Sequence, residues 1–297
     1  MEFPTQEPGS VPAELKFSHS RLSTYDSCWR KAGYIYHEGF RRNYDSPALT
    51  FGRILHRILE LHYKGICSPM EAYPLYLNKE FPTFVEQKDI FAAVALGTRY
   101  VSYYKNKDNF RILGVEKDLI VPYSTPNGVT VYLHVILDLI AEHQGQLAVI
   151  DHKSSARNVW SNDMILFDPQ IALYMCALML MDYEPNIGVI NQISTASKDT
   201  TKIANAPGDK LFSRFTVQPS PRILEGWLRE FGQKIDRILE AEIFPRTLTN
   251  NCRNCPYREA CSMELQGIDS KPYLETNFPK TPHTTYEIDV ELEDYPN

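Results

Sequence analysis

A chain of 297 residues, 43% of them hydrophobic, can bury a substantial core, which excludes global disorder. It has no apolar run long enough to span a bilayer, and its first residues, MEFPTQEPGSVPAEL, lack the basic and apolar regions of a secretory signal, so a cytoplasmic protein is expected. The net charge of −6 at first argues against a nucleic-acid partner, but five acids (Glu287, Asp289, Glu291, Glu293, Asp294) crowd the last fourteen residues, where there is no Lys or Arg. The body is thus near neutral. Its early cluster of Arg21, Arg30, Lys31, Arg41, Arg42, Arg53 and Arg57 is compatible with a surface that tracks phosphates.

Residues 1–16 read as a flexible lead-in. Ser18 or Ser20 can cap a short helix ending near Cys28, and an aromatic-rich irregular piece follows. SPALTFGRILHRILELHYKG predicts an amphipathic helix of about five turns. Phe51, Leu55, Ile58 and His62 line one side, Ile54 and Leu61 adjoin them, His56 lies off the stripe, and Gly65 stops the helix. Further helix is expected through MEAYPLYLNKEF and DIFAAVALGTRYVSYYKN.

Strand patterns begin at Phe110. FRILGVEKDLIVPY, with an interruption at Gly114, leads through the Asn-Gly turn of TPNGVT into a second strand containing LHVILDLI. A turn at His143–Gln146 leads into a third strand ending in VIDHKS, which makes an antiparallel meander. DPQIALYMCALMLMDY is then a helix with Asp168 as its cap and Pro169 at its first position. Two more strands (IGVINQIST, KLFSRFTVQ) and a long amphipathic helix, PSPRILEGWLREFGQKIDRILEAEIFP, complete the pattern. It describes one mixed α/β domain over residues 17–265, a sheet flanked by helices. Residues 266–297 form an acidic, Pro-containing tail expected to be poorly ordered.

The chemistry concentrates in VYLHVILDLIAEHQGQLAVIDHKS. Each of its two strands carries an acid that a purely structural hairpin would not need, Asp138 and Asp151. Side chains alternate along a strand, so Asp151 and Lys153 share a face and His152 points the other way. Two carboxylates and a lysine suit a divalent cation, Mg²⁺ or Mn²⁺, beside a phosphate. Of six cysteines, Cys252, Cys255 and Cys261 form C-x2-C-x5-C, a spacing that inside a cell suggests a metal before a disulfide. Cys28 is the best fourth ligand. Cys176 lies on an apolar helical stripe, and Cys67 has no obvious partner. Four cysteines can hold zinc or an iron–sulfur cluster, and either would staple the two ends of the domain.

These pieces together resemble the RecB-type nucleases of the PD-(D/E)XK superfamily. The branch is the one with a four-cysteine 4Fe–4S cluster, which includes the AddB nuclease domain and the CRISPR-associated adaptation exonucleases. The resemblance runs in order through SHSRLSTYDSCWRKAGY, the G-x-x-x-H of Gly52 and His56, Asp138, Asp151-x-Lys153, the Q-x-x-x-Y of Gln170 and Tyr174, and C-x2-C-P-Y-x4-C. It implies a metal held by His56, Asp138, Asp151 and the main-chain carbonyl of His152. Lys153 would orient the attacking water or stabilise the phosphorus, and Gln170 and Tyr174 would position substrate or Lys153. Glu116 would support the site, and Cys28, Cys252, Cys255 and Cys261 would hold the cluster. His134-Val135-Ile136-Leu137 replaces a Gly common before the first Asp, and Trp29 stands where Pro is common.

The expected activity is that of a metal-dependent deoxyribonuclease, an exonuclease on single-stranded DNA or DNA ends in recombination, repair or phage replication. DNA is the expected partner, with recombination, replication or CRISPR adaptation proteins beside it. The alternatives are a structure-specific endonuclease, a catalytically idle iron–sulfur DNA-binding or adaptation-complex subunit, and a zinc-stapled enzyme. No P-loop pattern is present, so a helicase–nuclease fusion is not expected.

Overall fold

The structure is a computed structural model, and it describes residues 11–42, 46–77, 80, 86–156 and 160–280. Its centre is a six-stranded mixed sheet of β1 (Lys16–Ser18), β2 (Arg111–Ser124), β3 (Thr130–His143), β4 (Gln146–Ser155), β5 (Pro185–Ser194) and β6 (Phe212–Val217). The meander β2–β3–β4 is antiparallel, and its two turns fall at Asn127-Gly128 and at Gln144-Gly145 as the turn residues dictate. β5 then runs parallel to β4, and β6 antiparallel to β5.

β3 organises the sheet. One of its edges pairs with β2 along almost its whole length. The other edge is shared: β1 lies parallel at Tyr132–His134, and β4 pairs antiparallel from Leu139 to His143. The pairing of Leu139 with Ile150 is the last one between β3 and β4. Beyond it the strands part, and Asp138 and Asp151 are the first residues past the fork.

Helices cover both faces. α1 (His19–Ser27) is capped by the Ser18 hydroxyl, which accepts from the Arg21 N–H. α2 (Pro47–Tyr63) starts at Ser46 with Pro47 at N1 and is followed by Gly65 at φ +70°. α3 (Gln87–Tyr104) packs on α2, burying Ile54, Ile58, Leu96 and Tyr100 in one cluster. α4 (Pro169–Leu180) is apolar almost all round, because it lies between the sheet and α5 (Pro221–Leu239). Val149 joins the cluster under α4 and its neighbour Ile150 a different cluster, as alternation across a strand requires.

The mixed α/β architecture agrees with the sequence, but three segments differ from it. In the expected lead-in, Ala13–Leu15 form a helical turn and Lys16 opens β1; the buried Arg21 guanidinium holds them through the carbonyls of Ala13, Glu14 and Lys16. A three-residue edge strand carries too little pattern to be read. In the expected disordered tail, α6 (Arg258–Leu265) is followed by α7 (Lys271–Asn277), where Leu274 and Phe278 bury against Tyr34, Phe40 and Tyr257. Third, the described part of MEAYPLYLNKEF breaks the expected helix into a short helix, Pro69–Ala72, and a wider helical turn, Tyr73–Leu77. Residues 1–10 of the lead-in and the five tail acids lie outside the described residues. Among the described residues no helix is long and apolar enough to cross a membrane.

Candidate active site

The fork between β3 and β4 is where the acidic residues meet. Asp138 is buried on β3, and its Oδ2 accepts from the His152 main-chain N–H at 2.7 Å. His56 of α2 brings Nδ1 within 3.4 Å of the same oxygen. α2 can come this close because position 52, one turn earlier, is glycine: a Cβ there would stand 3.1 Å from Ser154 Oγ. The G-x-x-x-H spacing thus has a physical cause in helix-to-strand contact.

Glu116 completes a group. Val115 pairs with Leu139 and Lys117 with Leu137, so Glu116 falls opposite Asp138. Its φ of +46° is rare for a residue with a side chain. Ligand atoms of His56, Glu116 and Asp138 lie within 4.8 Å of one another, the arrangement a divalent cation needs. Asp151 is not one of that group; it turns to Lys153 instead.

Lys153 is held from three sides. Its Nζ lies 2.9 Å from Asp151 Oδ2 and 4.0 Å from Asp168 Oδ2, and it donates to Gln170 Oε1. Gln170 Nε2 in turn donates to the Tyr174 hydroxyl at 2.6 Å. Gln170 and Tyr174 share a face of α4 one turn apart. The other Asp168 oxygen caps α4 by accepting from the N–H groups of Gln170 and Ile171. Asp168 therefore fixes the start of the helix and faces the lysine. The sequence marked it only as a cap; its place two residues before Gln170 was the available signal.

The electrostatics follow from burial beside like and unlike charges. Burial, with Asp138 nearby, pushes the Glu116 carboxyl up to about 8. Burial raises Asp151 to about 7, Asp138 adding to it and Lys153 opposing. Burial would also raise Asp138, but His56 and the His152 amide outweigh it and bring it down to about 2. Burial opposes charge on His56, yet Asp138 lifts it to about 9. Lys153 is raised despite its burial, Asp151 being the main cause, so it stays charged. His152 is the exception: burial drives its ring to about 3. That neutral ring packs on Tyr63 and Tyr100, with centroids 5.9 and 5.7 Å away. It meets Asn191, which sequence reasoning did not single out, at 3.4 Å. His152 thus touches the acids through its main-chain amide.

A second constellation joins the residue that follows α1 to the segment before and within α6. Cys28, Cys252, Cys255 and Cys261 line one pocket of about 270 Å³, with Lys31, Arg246 and Arg258 on its walls. None of the six cysteines is in a disulfide. The Thr247 N–H points at Cys28 Sγ from 3.5 Å, and the Tyr34 hydroxyl lies 3.8 Å from Cys261 Sγ. Beside the pocket, Glu264 accepts from Arg30, Tyr34, Ser270 and Arg246. Cys176 is buried under α5, and burial pushes its thiol up to about 12.

Acids cluster where the sheet forks, with Lys153 on β4 beside them, an arrangement able to hold a cation next to a phosphate. Residues 16–262 match the PD-(D/E)XK nuclease superfamily, and the chain belongs to it. Membership implies a metal-dependent nuclease with DNA as substrate. No curated protein matches the chain. Among solved structures, the crystal structure of SSO0001 is similar over 84% of this chain and 86% of that one, with 14% sequence identity and a TM-score of 0.40.

Proposed function

We propose that this protein is a Mg²⁺- or Mn²⁺-dependent deoxyribonuclease of the RecB type that degrades single-stranded DNA or frayed DNA from an end. The observation that carries the hydrolytic reading is the charged Lys153, fixed by Gln170 and Asp151 beside the group of His56, Glu116 and Asp138. The preference for ends rests on the family resemblance of the ordered motifs. His56, Glu116 and Asp138 would hold the cation, with Asp151 at its border. The donor set fits: oxygens predominate, and buried Asp151 Oδ2 accepts no hydrogen bond beyond its ion pair with Lys153. When bound, the cation activates a water and neutralises charge on the phosphate. The protein's own part is orientation. Lys153 presents a fixed positive charge to a phosphoryl oxygen, Gln170, itself anchored by Tyr174, accepts from its ammonium, and the His152 amide keeps Asp138 aimed.

The four-cysteine pocket is the seat of an iron–sulfur cluster, held by Cys28, Cys252, Cys255 and Cys261. Four unpaired cysteines on one cavity with cationic walls fit such an anionic group. Its role is structural: it ties α1 to the C-terminal segment.

The test compares the wild type with Lys153→Ala, purified without oxygen, on end-labelled linear and circular single-stranded DNA with Mn²⁺ or Mg²⁺. Loss of linear DNA with the wild type alone supports the reading, and the label reports polarity. Cut circles would make the enzyme an endonuclease, and equal activity of the two proteins would overturn the role of Lys153. Iron content and visible absorbance decide the cluster. A Cys255→Ser protein that stays folded, colourless and fully active would overturn its structural role.

A further inference from the structure

Phe167 is an exposed aromatic beside the lysine of the site. The residue is 74% accessible, and Met164, one turn earlier, is 49% accessible. Single exposed apolar side chains are common on proteins and need no explanation by themselves. This one is distinguished by what holds it and by what it adjoins.

The turn that carries it is tied down on both sides. Asn162–Ile165 form a short helix, and Ile165 is wholly buried in the main core. The Phe167 N–H donates to the Met164 carbonyl at 3.0 Å, and the Asp168 N–H to the Ile165 carbonyl at 3.1 Å. Asp168 then caps α4. With a buried anchor on one side and a helix cap on the other, the backbone of Phe167 has little freedom, yet its ring is left in water. A core-forming phenylalanine on such a turn would fold inward.

The next residue is part of the site. Asp168 Oδ2 is 4.0 Å from Lys153 Nζ. Adjacent Cα atoms are about 3.8 Å apart, which puts the Phe167 backbone within roughly 12 Å of that nitrogen. Stacked nucleotides rise about 3.4 Å each along a strand, so this distance covers roughly three of them. A strand whose phosphate is held at Lys153 therefore has bases within the reach of an exposed ring at this position. Every nucleobase offers a π-face, and aromatic side chains are the usual platform for unpaired bases. In a duplex those faces are already stacked on one another.

We infer that Phe167 is a stacking platform, with Met164 at its border, for an unpaired base of single-stranded DNA within three nucleotides of the scissile phosphate. This rests on the nuclease reading above and names its substrate class: a strand with free base faces. Phe167 is a positioning and specificity-determining residue and takes no part in bond breaking.

The experiment uses the full chain loaded with Mn²⁺. Phe167→Ala, Phe167→Tyr and the wild type are compared on a single-stranded oligonucleotide and on one with abasic residues beside the cleaved bond. A second readout is the fluorescence of 2-aminopurine placed at the same position, which stacking quenches without turnover. The expected result is a KM raised roughly 5- to 100-fold for Phe167→Ala on the normal strand, with kcat within about twofold. Phe167→Tyr should restore it, and the abasic strand should not distinguish the proteins. Quenching should occur with the wild type and be lost in Phe167→Ala. An unchanged KM, an equal rise on the abasic strand, or no quenching by the wild type would overturn the inference. Quenching by the wild type without any cleavage would leave the platform standing and overturn the nuclease reading instead.

Discussion

Glu116 and Asp138 face each other across the β2–β3 pair, with Glu116 in the left-handed region at φ +46°. If both were ionised, half-buried Glu116 and buried Asp138 would repel each other, so Glu116 keeps its proton, and a backbone outlier of this kind costs of order 1 kcal/mol or more. A cation between them removes the repulsion. Glu116→Gln keeps the shape and removes one ligand charge. It should lower Mn²⁺ affinity by about tenfold or more, measured by titration calorimetry, and leave the fold intact by circular dichroism. Unaltered Mn²⁺ affinity would take Glu116 out of the metal site.

The pH dependence has a definite sign. Glu116 near 8, Asp151 near 7 and His56 near 9 all hold their protons in the metal-free fold above the pH at which the unfolded chain releases them. Groups with raised folded values contribute stability at low pH that is lost as pH rises through those values. The metal-free protein should therefore melt at a lower temperature at pH 9 than at pH 6. Metal binding displaces the same protons, so Mn²⁺ affinity should climb from pH 6 to 9 and then level off. Calorimetry in buffers of different ionisation heat counts the protons released. A flat affinity across this range would show that these groups do not face the cation.

Gln170 bridges Lys153 to Tyr174, and this predicts a graded series. Gln170→Ala removes one of the three groups that hold the lysine head, leaving Asp151 and Asp168, and should cut kcat roughly 10- to 100-fold with a small change in KM. Tyr174→Phe leaves the bridge in place and removes only its far anchor, so its effect should be smaller. Both should bind Mn²⁺ like the wild type. If Tyr174→Phe is the more damaging, the hydroxyl has a direct role with substrate.

Much of this site was legible in the residues. Asp138, Asp151 and Lys153 stood out because charges interrupt apolar strands, and the cap at Asp168 was readable from D-P-Q. Other relationships had no local signal. Glu116 alternates with apolar neighbours like any exposed strand residue, and only the pairing register sets it against Asp138. The role of Gly52 depends on how near α2 passes to Ser154, which no spacing encodes. α7 was hidden by the acidic segment beyond it, since two apolar anchors, Leu274 and Phe278, are a weak pattern until their aromatic partners from residues 34–40 come into view.

Glu264 supplies the last prediction, because it links α6 to Arg30 and Tyr34 independently of any cysteine. Burial would raise its carboxyl, but hydrogen bonds from Arg30, Tyr34 and Ser270 bring it down to about 2. Arg30 donates to it at 3.1 and 2.5 Å, and Arg30 sits two residues from Cys28, while Glu264 sits three from Cys261. Closing so long a loop is costly in entropy, and the carboxylate holds it shut. Glu264→Ala leaves Arg30 and Arg246 facing each other without their shared acceptor. It should destabilise the protein by about 2–4 kcal/mol in urea unfolding. Glu264→Gln, which keeps some acceptor capacity, should cost less. A depressed carboxyl contributes stability that is present above its unfolded value and lost as pH falls toward 2. The gap between wild type and Glu264→Ala should therefore narrow between about pH 5 and pH 2. The reactivity of Cys28 toward a thiol reagent should rise in Glu264→Ala, since α1 is then free to leave the pocket. Equal stability and equal Cys28 reactivity in the two proteins would mean that the cysteine pocket holds the ends together without help from this carboxylate.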